Sequence, residues 1–236
     1  MKLIMVAGGE LDQEFLQHVL DEAGPDRRIM GIDAGVLAVE VSGYTPDYVI
    51  GDFDSVSAEE RQRILDTYQE KRVLCPVKDD TDLEAAIHWI LEGMPVGDEA
   101  EGIPATGKVE GGIEEVLLLG MTGNRMDHTL TNLRLMAHFP KAGIPAVMLD
   151  RKNRIRILTG SVKIKKEELY GPYISLLPVF GAVEGITLKG FKYAIENAVL
   201  EPMSSLGVSN ELIEPVGEIL YPEGLLYLME TKDGQG

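Results

Sequence analysis

The chain contains 236 residues, of which 44% are hydrophobic and 26% are charged, so it is too apolar to remain disordered. Its formal net charge is −17, from 39 acidic and 22 basic residues. This balance argues against nucleic acid as the main partner, because binding a phosphate backbone needs clustered Lys and Arg. A single cysteine excludes both a disulfide framework and a cysteine-based zinc site.

The chain begins with a short apolar run, Leu3–Ala7, that ends at Gly8 and Gly9. The core of a signal peptide needs about 7–15 apolar residues, and a membrane-spanning helix needs about 18 or more. We therefore expect a cytoplasmic protein that does not use a membrane as a partner.

Short apolar runs alternate with helical patterns over residues 1–150. This alternation predicts an α/β domain, and unbroken apolar runs between helices are typical of a parallel sheet covered on both faces. The predicted strands are Leu3–Ala7, Ile29–Ile32, Tyr48–Ile50, Arg72–Cys75, Val116–Leu119 and Ala146–Leu149.

Three helices are predicted from their end signals and their apolar spacing. Ser57 and Glu60 form a capping-box pattern that opens one helix, and Thr81 and Glu84 open a second. A third helix is predicted over residues 127–139, where the apolar side chains fall on one stripe.

Two changes of composition divide the rest of the chain. Residues 93–115 are acidic and rich in glycine, and we interpret them as an exposed loop.

From about Arg154, short β-rich segments separated by turn residues predict a small all-β sandwich. We place the boundary near Asp150–Asn153, with an α/β domain over 1–150 and a β-sandwich domain over 151–236. The predicted strands of the second part are Arg154–Leu158, Val162–Lys165, Tyr173–Val179, Ala182–Leu188, Tyr193–Leu200 and Leu225–Glu230.

Aspartates follow four successive predicted strands. The carboxyl ends of parallel strands lie along one edge of a sheet, where open α/β proteins bind their ligands. We therefore expect these carboxylates on one side of the sheet. They are Asp33 after the second strand, Asp52 and Asp54 after the third, Asp79, Asp80 and Asp82 after the fourth, and Asp127 after the fifth.

So many like charges in one cleft repel one another unless a cation lies among them, and carboxylate oxygens suit Mg²⁺. Asp52 and Asp54 lie two residues apart and could reach one ion from a single turn. An aspartate also occurs in turns and at helix starts for structural reasons, and Asp82 begins a predicted helix. Arg125 and Lys78 lie among these carboxylates, where they either neutralise them or bind phosphate. The chain has no P-loop sequence.

Three acidic blocks and three later blocks stand out in the sequence. The acidic blocks are GDFDS at 51–55, KDDTDLEAA at 78–86 and GMTGNRMDHTLTNL at 120–133. The later blocks are YISLLPV at 173–179, GFKYAIENAVL at 190–200 and GVSNEL at 207–212. Together, and in this order, they resemble the thiamine pyrophosphokinase family, with the later blocks similar to its thiamine domain.

The resemblance implies an α/β catalytic domain that binds ATP and Mg²⁺, followed by a β-sandwich domain that binds thiamine. It implies that the β,γ-diphosphate of ATP is transferred to the hydroxyethyl oxygen of thiamine, giving thiamine diphosphate and AMP. It also implies a homodimer with the thiamine site between subunits.

The resemblance further assigns expected roles to single residues. The Mg²⁺-associated aspartates of the family are matched by Asp52, Asp54 and Asp82. The positions around the triphosphate and the reacting hydroxyl are matched by Lys78, Asp79, Arg125 and Asp127, of which Lys78 and Arg125 would hold phosphate oxygens and Asp127 would orient the attacking hydroxyl. The expected ATP site also includes Asp33, Thr81, Gly123, Asn124 and His128. The segment that contacts thiamine is matched by Ser209 and Asn210.

Two positions depart from the family pattern: Ala34 stands where the family has glycine, and Asn124 stands where it has a small residue. Both bear on nucleotide affinity. A structural role for Asp127 at a helix start stays open, as do two other functions. One is pyrophosphoryl transfer to another hydroxymethyl heterocycle, such as a pterin, and the other is a non-catalytic nucleotide or thiamine sensor. Because every matched acidic position is retained, the sensor is disfavoured.

Overall fold

The computed structural model describes residues 1–76, 80–92, 112–123 and 125–234. The chain divides into two compact units, Met1–Pro145 and Ala146–Gly236. None of the helices in the described part has the length and hydrophobicity needed to span a membrane.

The first unit contains a parallel sheet. Its strands are β1 (Lys2–Val6), β2 (Arg27–Ile32), β3 (Tyr48–Gly51), β4 (Lys71–Val73) and β5 (Glu115–Leu119). They pair in the order β5-β1-β2-β3-β4, and every pair is parallel. The predicted parallel sheet is therefore confirmed, with strand ends within two residues of those expected. The order reverses at β1, and open α/β sheets bind ligands where it does so.

Helices connect these strands. They are α1 (Gln13–Glu22), α2 (Gly35–Val41), α3 (Ala58–Thr67), α4 (Asp82–Glu92), α5 (Met126–Leu135) and α6 (His138–Lys141). The capping box predicted for Ser57 and Glu60 is confirmed at the start of α3. The backbone N–H of Glu84 donates to the Thr81 hydroxyl at 3.2 Å, so Thr81 caps α4 as predicted.

The single helix predicted over 127–139 was wrong. In the structure α5 ends at Leu135 and a separate short helix, α6, begins at His138. Pro140 explains the break, because it has no N–H to donate to the carbonyl of Met136 and its ring would collide with that carbonyl in a continuous helix. Within α6, Pro140 lies in the first turn, where no N–H is needed.

The sixth predicted strand is confirmed with its bounds, but it falls in the second of the two units. β6 (Ala146–Leu149) belongs to the second unit and pairs antiparallel with β7 (Asn153–Leu158). The Asp150 carboxylate accepts the backbone N–H groups of Lys152 and Asn153 at 2.7 and 2.8 Å. This local turn closes a hairpin, and hairpins join antiparallel strands.

The second unit contains two antiparallel sheets. The first has the order β12-β9-β14-β7-β6, with β9 (Tyr173–Pro178), β12 (Asn210–Glu211) and β14 (Leu226–Thr231). The second has the order β11-β10-β13-β8, with β8 (Val162–Lys165), β10 (Val183–Lys189), β11 (Ile195–Leu200) and β13 (Val216–Leu220).

One apolar core holds these two sheets together. It combines Leu176 and Leu228 of the first sheet with Ile186 and Ile219 of the second, all at most 1% exposed. The predicted β-sandwich is therefore confirmed. β12 and β13 were missed by the sequence prediction.

Candidate active site

A cavity of about 730 Å³ opens in the first unit, at the carboxyl ends of β1, β2 and β5. Its lining includes Gly8, Gly9, Gly120 and Gly123. A Cβ atom built on Gly9 would lie 2.3 Å from the carbonyl oxygens of Gly120 and Thr122, so only glycine fits there. The two glycine-containing loops therefore pack backbone to backbone, and the cavity offers main-chain groups to a ligand.

Three carboxylates come together where β2 and β3 end. Oxygen atoms of Asp33, Asp52 and Asp54 lie within 4.8 Å of one another. Asp33 follows β2, while Asp52 and Asp54 follow the neighbouring strand β3. Carboxylates this close repel unless a cation offsets their charge.

The chain between Asp52 and Asp54 adopts a conformation that is rare for a large side chain. Phe53 has a φ of 56°, in the left-handed region. Its ring is fully buried against α2, β3 and α3 residues such as Val36, Val49 and Ile64. We infer that this burial offsets the backbone strain and holds the turn from which both aspartates reach the cluster.

Within the described part of the chain, the two carboxylate oxygens of Asp33 differ in their hydrogen bonding. The Ser55 hydroxyl donates to its Oδ2. Its Oδ1 is buried, and no described residue forms a hydrogen bond with that atom. A buried carboxylate oxygen of this kind is suited to be a ligand of a divalent cation, because a buried oxygen without any partner costs desolvation free energy.

The structure groups Asp33, rather than Asp82, with Asp52 and Asp54 among the described residues. Asp82 is the first residue of α4 and lies in the lining of the cavity, beside Thr81. A role for Asp82 in metal binding stays a prediction.

Several other residues expected at the ATP site line the same cavity. They are Asp33, Thr81, Gly123, Arg125 and His128. Within the described part of the chain, this lining does not contain Asp127. The expected site residues Lys78, Asp79 and Asn124 lie outside the described residues, as do positions 93–111 of the predicted acidic loop.

Arg125 and Asp127 form an ion pair at the start of α5. The Arg125 guanidinium donates to the two carboxylate oxygens of Asp127 at 2.6 and 3.3 Å. This hydrogen bond is the main cause that lowers the pKa of the Asp127 carboxyl to about 2. The carboxylate is therefore ionised at neutral pH and engaged by the residue expected to bind phosphate.

The methyl group of Ala34 is accommodated by the glycine facing it. A Cβ atom built on Gly8 would lie 2.9 Å from the Cβ of Ala34, so this position has room for one methyl group and not two. The next residue, Gly35, admits no side chain, since its Cβ would lie 1.9 Å from the carbonyl oxygen of Val6. The departure at Ala34 thus leaves the close approach of α2 to β1 intact.

Ser209 and Asn210 lie in the second unit and differ in what their side chains do. Asn210 is 3% exposed, and its amide both accepts from the backbone N–H of Tyr193 and donates to the Tyr193 carbonyl, at 3.0 and 2.8 Å. Ser209 is exposed, and its backbone N–H donates to the Ser175 hydroxyl at 3.0 Å. Asn210 therefore shapes the Tyr193 loop, while the Ser209 side chain is exposed to solvent.

Two residues of interest were missed by the sequence reasoning, although both lie in blocks that it singled out. Ser55 is the last residue of GDFDS, and Tyr193 lies in GFKYAIENAVL. Tyr193 is 57% exposed, and the Lys192 ammonium lies 5.4 Å from the centre of its ring. No feature of the sequence alone indicated that the Ser55 hydroxyl would reach Asp33.

The first unit is thus an α/β domain with an acidic cluster beside a glycine-lined cavity, and the second is a β-sandwich. The sequence-family model of the thiamin pyrophosphokinase catalytic domain matches residues 23–148. The family model of the thiamin pyrophosphokinase vitamin B1 binding domain matches residues 161–226. The chain belongs to the thiamine pyrophosphokinase family.

Individual relatives agree with this assignment. Thiamine pyrophosphokinase from Bacillus subtilis (strain 168) is 32% identical over 205 residues, which are 86% of this chain and 87% of the relative. The crystal structure of thiamine pyrophosphokinase from Bacillus subtilis superimposes with a TM-score of 0.79 at 29% identity, covering 99% of this chain and 100% of that one. The enzyme from Geobacillus thermodenitrificans gives 0.76 at 28% identity, covering 100% and 99%.

The low pKa of Asp127 can be tested by removing its partner. In Arg125→Gln the guanidinium is lost, so we expect the pKa of the Asp127 carboxyl to rise from about 2 toward its ordinary value of 3.8. Titration of ¹³C-labelled aspartate carboxyls by NMR measures this shift. Arg134→Gln, at the other end of α5, is the control and should leave the Asp127 pKa unchanged. An Asp127 pKa equal to that of the wild type in Arg125→Gln would contradict the ion pair.

Proposed function

We propose that this chain is an ATP-dependent diphosphotransferase that acts on thiamine, the activity named for its relatives. The observation that carries the proposal is the cluster of Asp33, Asp52 and Asp54 beside a glycine-lined cavity. A triphosphate needs both a cation and close approach to backbone groups, and this cavity offers the residues for each. ATP is the co-substrate, and the α/β unit is its binding domain.

The cluster has the chemistry of a magnesium site. Asp33, Asp52 and Asp54 would hold the ion, and Asp82, which lines the same cavity, is the further ligand expected from the sequence. When bound, Mg²⁺ neutralises charge on the triphosphate and on the phosphoryl group that is transferred. The buried Oδ1 atom of Asp33 supports this proposal, because a cation would satisfy it.

Arg125 is proposed to bind phosphate oxygens of ATP, together with Lys78. Arg125 already lines the cavity, and a phosphate oxyanion competes with the Asp127 carboxylate for the same guanidinium. When Arg125 turns to the phosphate, Asp127 loses the hydrogen bond that lowers its pKa. Asp127 then becomes available to a hydroxyl group and a better acceptor of its proton.

The proposed reaction is an in-line displacement at the β-phosphorus of ATP. The hydroxyethyl oxygen of thiamine forms a bond to the β-phosphorus while the bond from that phosphorus to the α,β-bridging oxygen breaks, so AMP leaves. The hydroxyl proton passes to the Asp127 carboxylate. Such transfers depend mainly on positioning and on charge stabilisation. Asp127 also lies in the first turn of α5, where a carboxylate is favourable in any case, so its structural role remains the alternative.

The β-sandwich is proposed to bind thiamine through the segment that contains Ser209, in a homodimer. The Ser209 hydroxyl is exposed, and Asn210 contributes by holding the Tyr193 loop. Exposed apolar side chains in this unit are available to a dimer interface. They include Met203 at 100%, Ile213 at 59% and Val208 at 44% exposed. The cytoplasmic location expected from the sequence stays a prediction.

The family assignment supports neither transfer to a pterin-like heterocycle nor a non-catalytic sensor. Both family models match this chain, and the second model describes a domain that binds vitamin B1.

The products distinguish diphosphate transfer from ordinary kinase chemistry. With ATP, Mg²⁺ and thiamine, we expect AMP and thiamine diphosphate in equal amounts and no thiamine monophosphate intermediate. Chromatography of a time course measures AMP, ADP, thiamine diphosphate and thiamine monophosphate, and ATP labelled at the β-phosphorus should transfer its label to thiamine. Stoichiometric ADP with thiamine monophosphate would instead show attack at the γ-phosphorus. Absence of turnover with thiamine but turnover with a hydroxymethylpterin would support the alternative substrate.

The role of Ser209 can be separated from that of ATP binding. Ser209→Ala removes the hydroxyl but keeps the Cβ atom. The backbone at this position, which has a φ of 55°, therefore gains no conformational freedom from the substitution. We expect the KM for thiamine to rise about 5-fold or more, as for the loss of one hydrogen bond, while the KM for ATP stays unchanged. Ser205→Ala, an exposed serine of the same segment, is the matched control. A change in the KM for ATP alone would contradict the assignment.

A further inference from the structure

We propose that Ser55 is a positioning residue for the divalent cation: its hydroxyl holds Oδ2 of Asp33 so that Oδ1 is directed to the ion. This inference rests on the proposed magnesium site. Ser55 donates to Asp33 Oδ2, and both residues line the cavity. Ser55 lies on the loop that also carries Asp52 and Asp54, so one loop supplies two carboxylates and the hydrogen-bond donor for the third.

Asp33 needs such a donor because of the charges around it. Its carboxylate lies within 4.8 Å of those of Asp52 and Asp54, and repulsion among the three favours rotation of the Asp33 side chain away from the cluster. The Asp33 backbone is itself fixed in the left-handed region, at a φ of 51°, with its N–H bound to the Ile50 carbonyl at 2.9 Å. The freedom that remains is in the side chain, and the Ser55 hydroxyl restricts it.

The hydrogen bond also distinguishes the two oxygen atoms of Asp33. A neutral hydroxyl on Oδ2 keeps the full negative charge of the carboxylate, whereas a lysine or arginine in that place would compete with a cation. Oδ1 stays buried and has no hydrogen-bond partner among the described residues. Hydrogen bonds to ligand carboxylates fix their orientation, and loss of such an outer partner typically lowers metal affinity about 10- to 100-fold.

Cation affinity can be measured without turnover. Mn²⁺ is the probe, and the electron paramagnetic resonance signal of free Mn²⁺ gives the dissociation constant for the full chain in the absence of nucleotide. We expect Ser55→Ala to weaken Mn²⁺ binding about 10-fold. Ser55→Thr keeps the hydroxyl and should restore binding to within about 3-fold, whereas Ser55→Val, which has the shape of threonine without the hydroxyl, should bind as weakly as Ser55→Ala.

Ser57→Ala is the matched control from the same loop. Its hydroxyl caps α3 through Glu60 and does not contact Asp33, so this variant should lower the melting temperature and leave Mn²⁺ affinity unchanged. Equal Mn²⁺ affinity in wild type, Ser55→Thr and Ser55→Val would overturn the role of Ser55 while the cation site stands. Failure of the wild-type chain to bind Mn²⁺ would overturn the proposed site itself, and the inference with it. If Ser57→Ala weakened Mn²⁺ binding as much as Ser55→Ala does, the effect of Ser55 would come from the general stability of the loop. That result would also overturn the inference.

Discussion

The repulsion among three carboxylates is the constraint on which the candidate active site depends. Asp33, Asp52 and Asp54 bring oxygen atoms within 4.8 Å of one another, in a chain whose net charge is already −17. Like charges at this separation oppose folding unless they are fixed by the surrounding structure or offset by a cation. The buried Phe53 ring and the Ser55 hydroxyl are the parts of the structure that fix them. In the proposed complex with Mg²⁺ and ATP, the same three charges would instead attract the cation.

The ion pair of Arg125 and Asp127 is a second electrostatic feature of the site, because Arg125 also lines the cavity. The two side chains neutralise each other at the start of α5. In the proposed mechanism, a phosphate group of ATP competes for Arg125 and would release Asp127 for the hydroxyl of the second substrate. The binding of nucleotide and the release of Asp127 toward the acceptor hydroxyl would thus depend on one guanidinium group. The two events would therefore be coupled.

Local signals in the sequence predicted much of this fold. The capping box at Ser57 and the cap at Thr81 were confirmed because each depends on residues three positions apart. Long-range and very local effects were harder to predict. The helix break before Pro140 was overlooked, and so was the hairpin turn at Asp150 through which β6 pairs antiparallel with β7. β12 has only two residues, too few to show any periodicity.

The candidate site was predicted in part for a similar reason. Strand ends placed the aspartates on one edge of the sheet, but the sequence did not indicate which strands are neighbours. The pairing of β2 with β3 brings Asp33 to Asp52 and Asp54, and a single hydroxyl contact from Ser55 orients it. Asn210 shows the opposite case: a polar residue expected to contact thiamine uses its buried amide to hold the Tyr193 backbone.

The position of the cation tests the central claim most directly. Anomalous scattering from Mn²⁺, in crystals of the full chain grown with a non-hydrolysable ATP analogue, would locate the ion. We expect a peak bonded to Oδ1 of Asp33 and shared with Asp52 and Asp54, at oxygen distances of about 2.0–2.3 Å. A peak bound to Asp82 and the phosphates, with Asp33 outside bonding distance, would contradict the account.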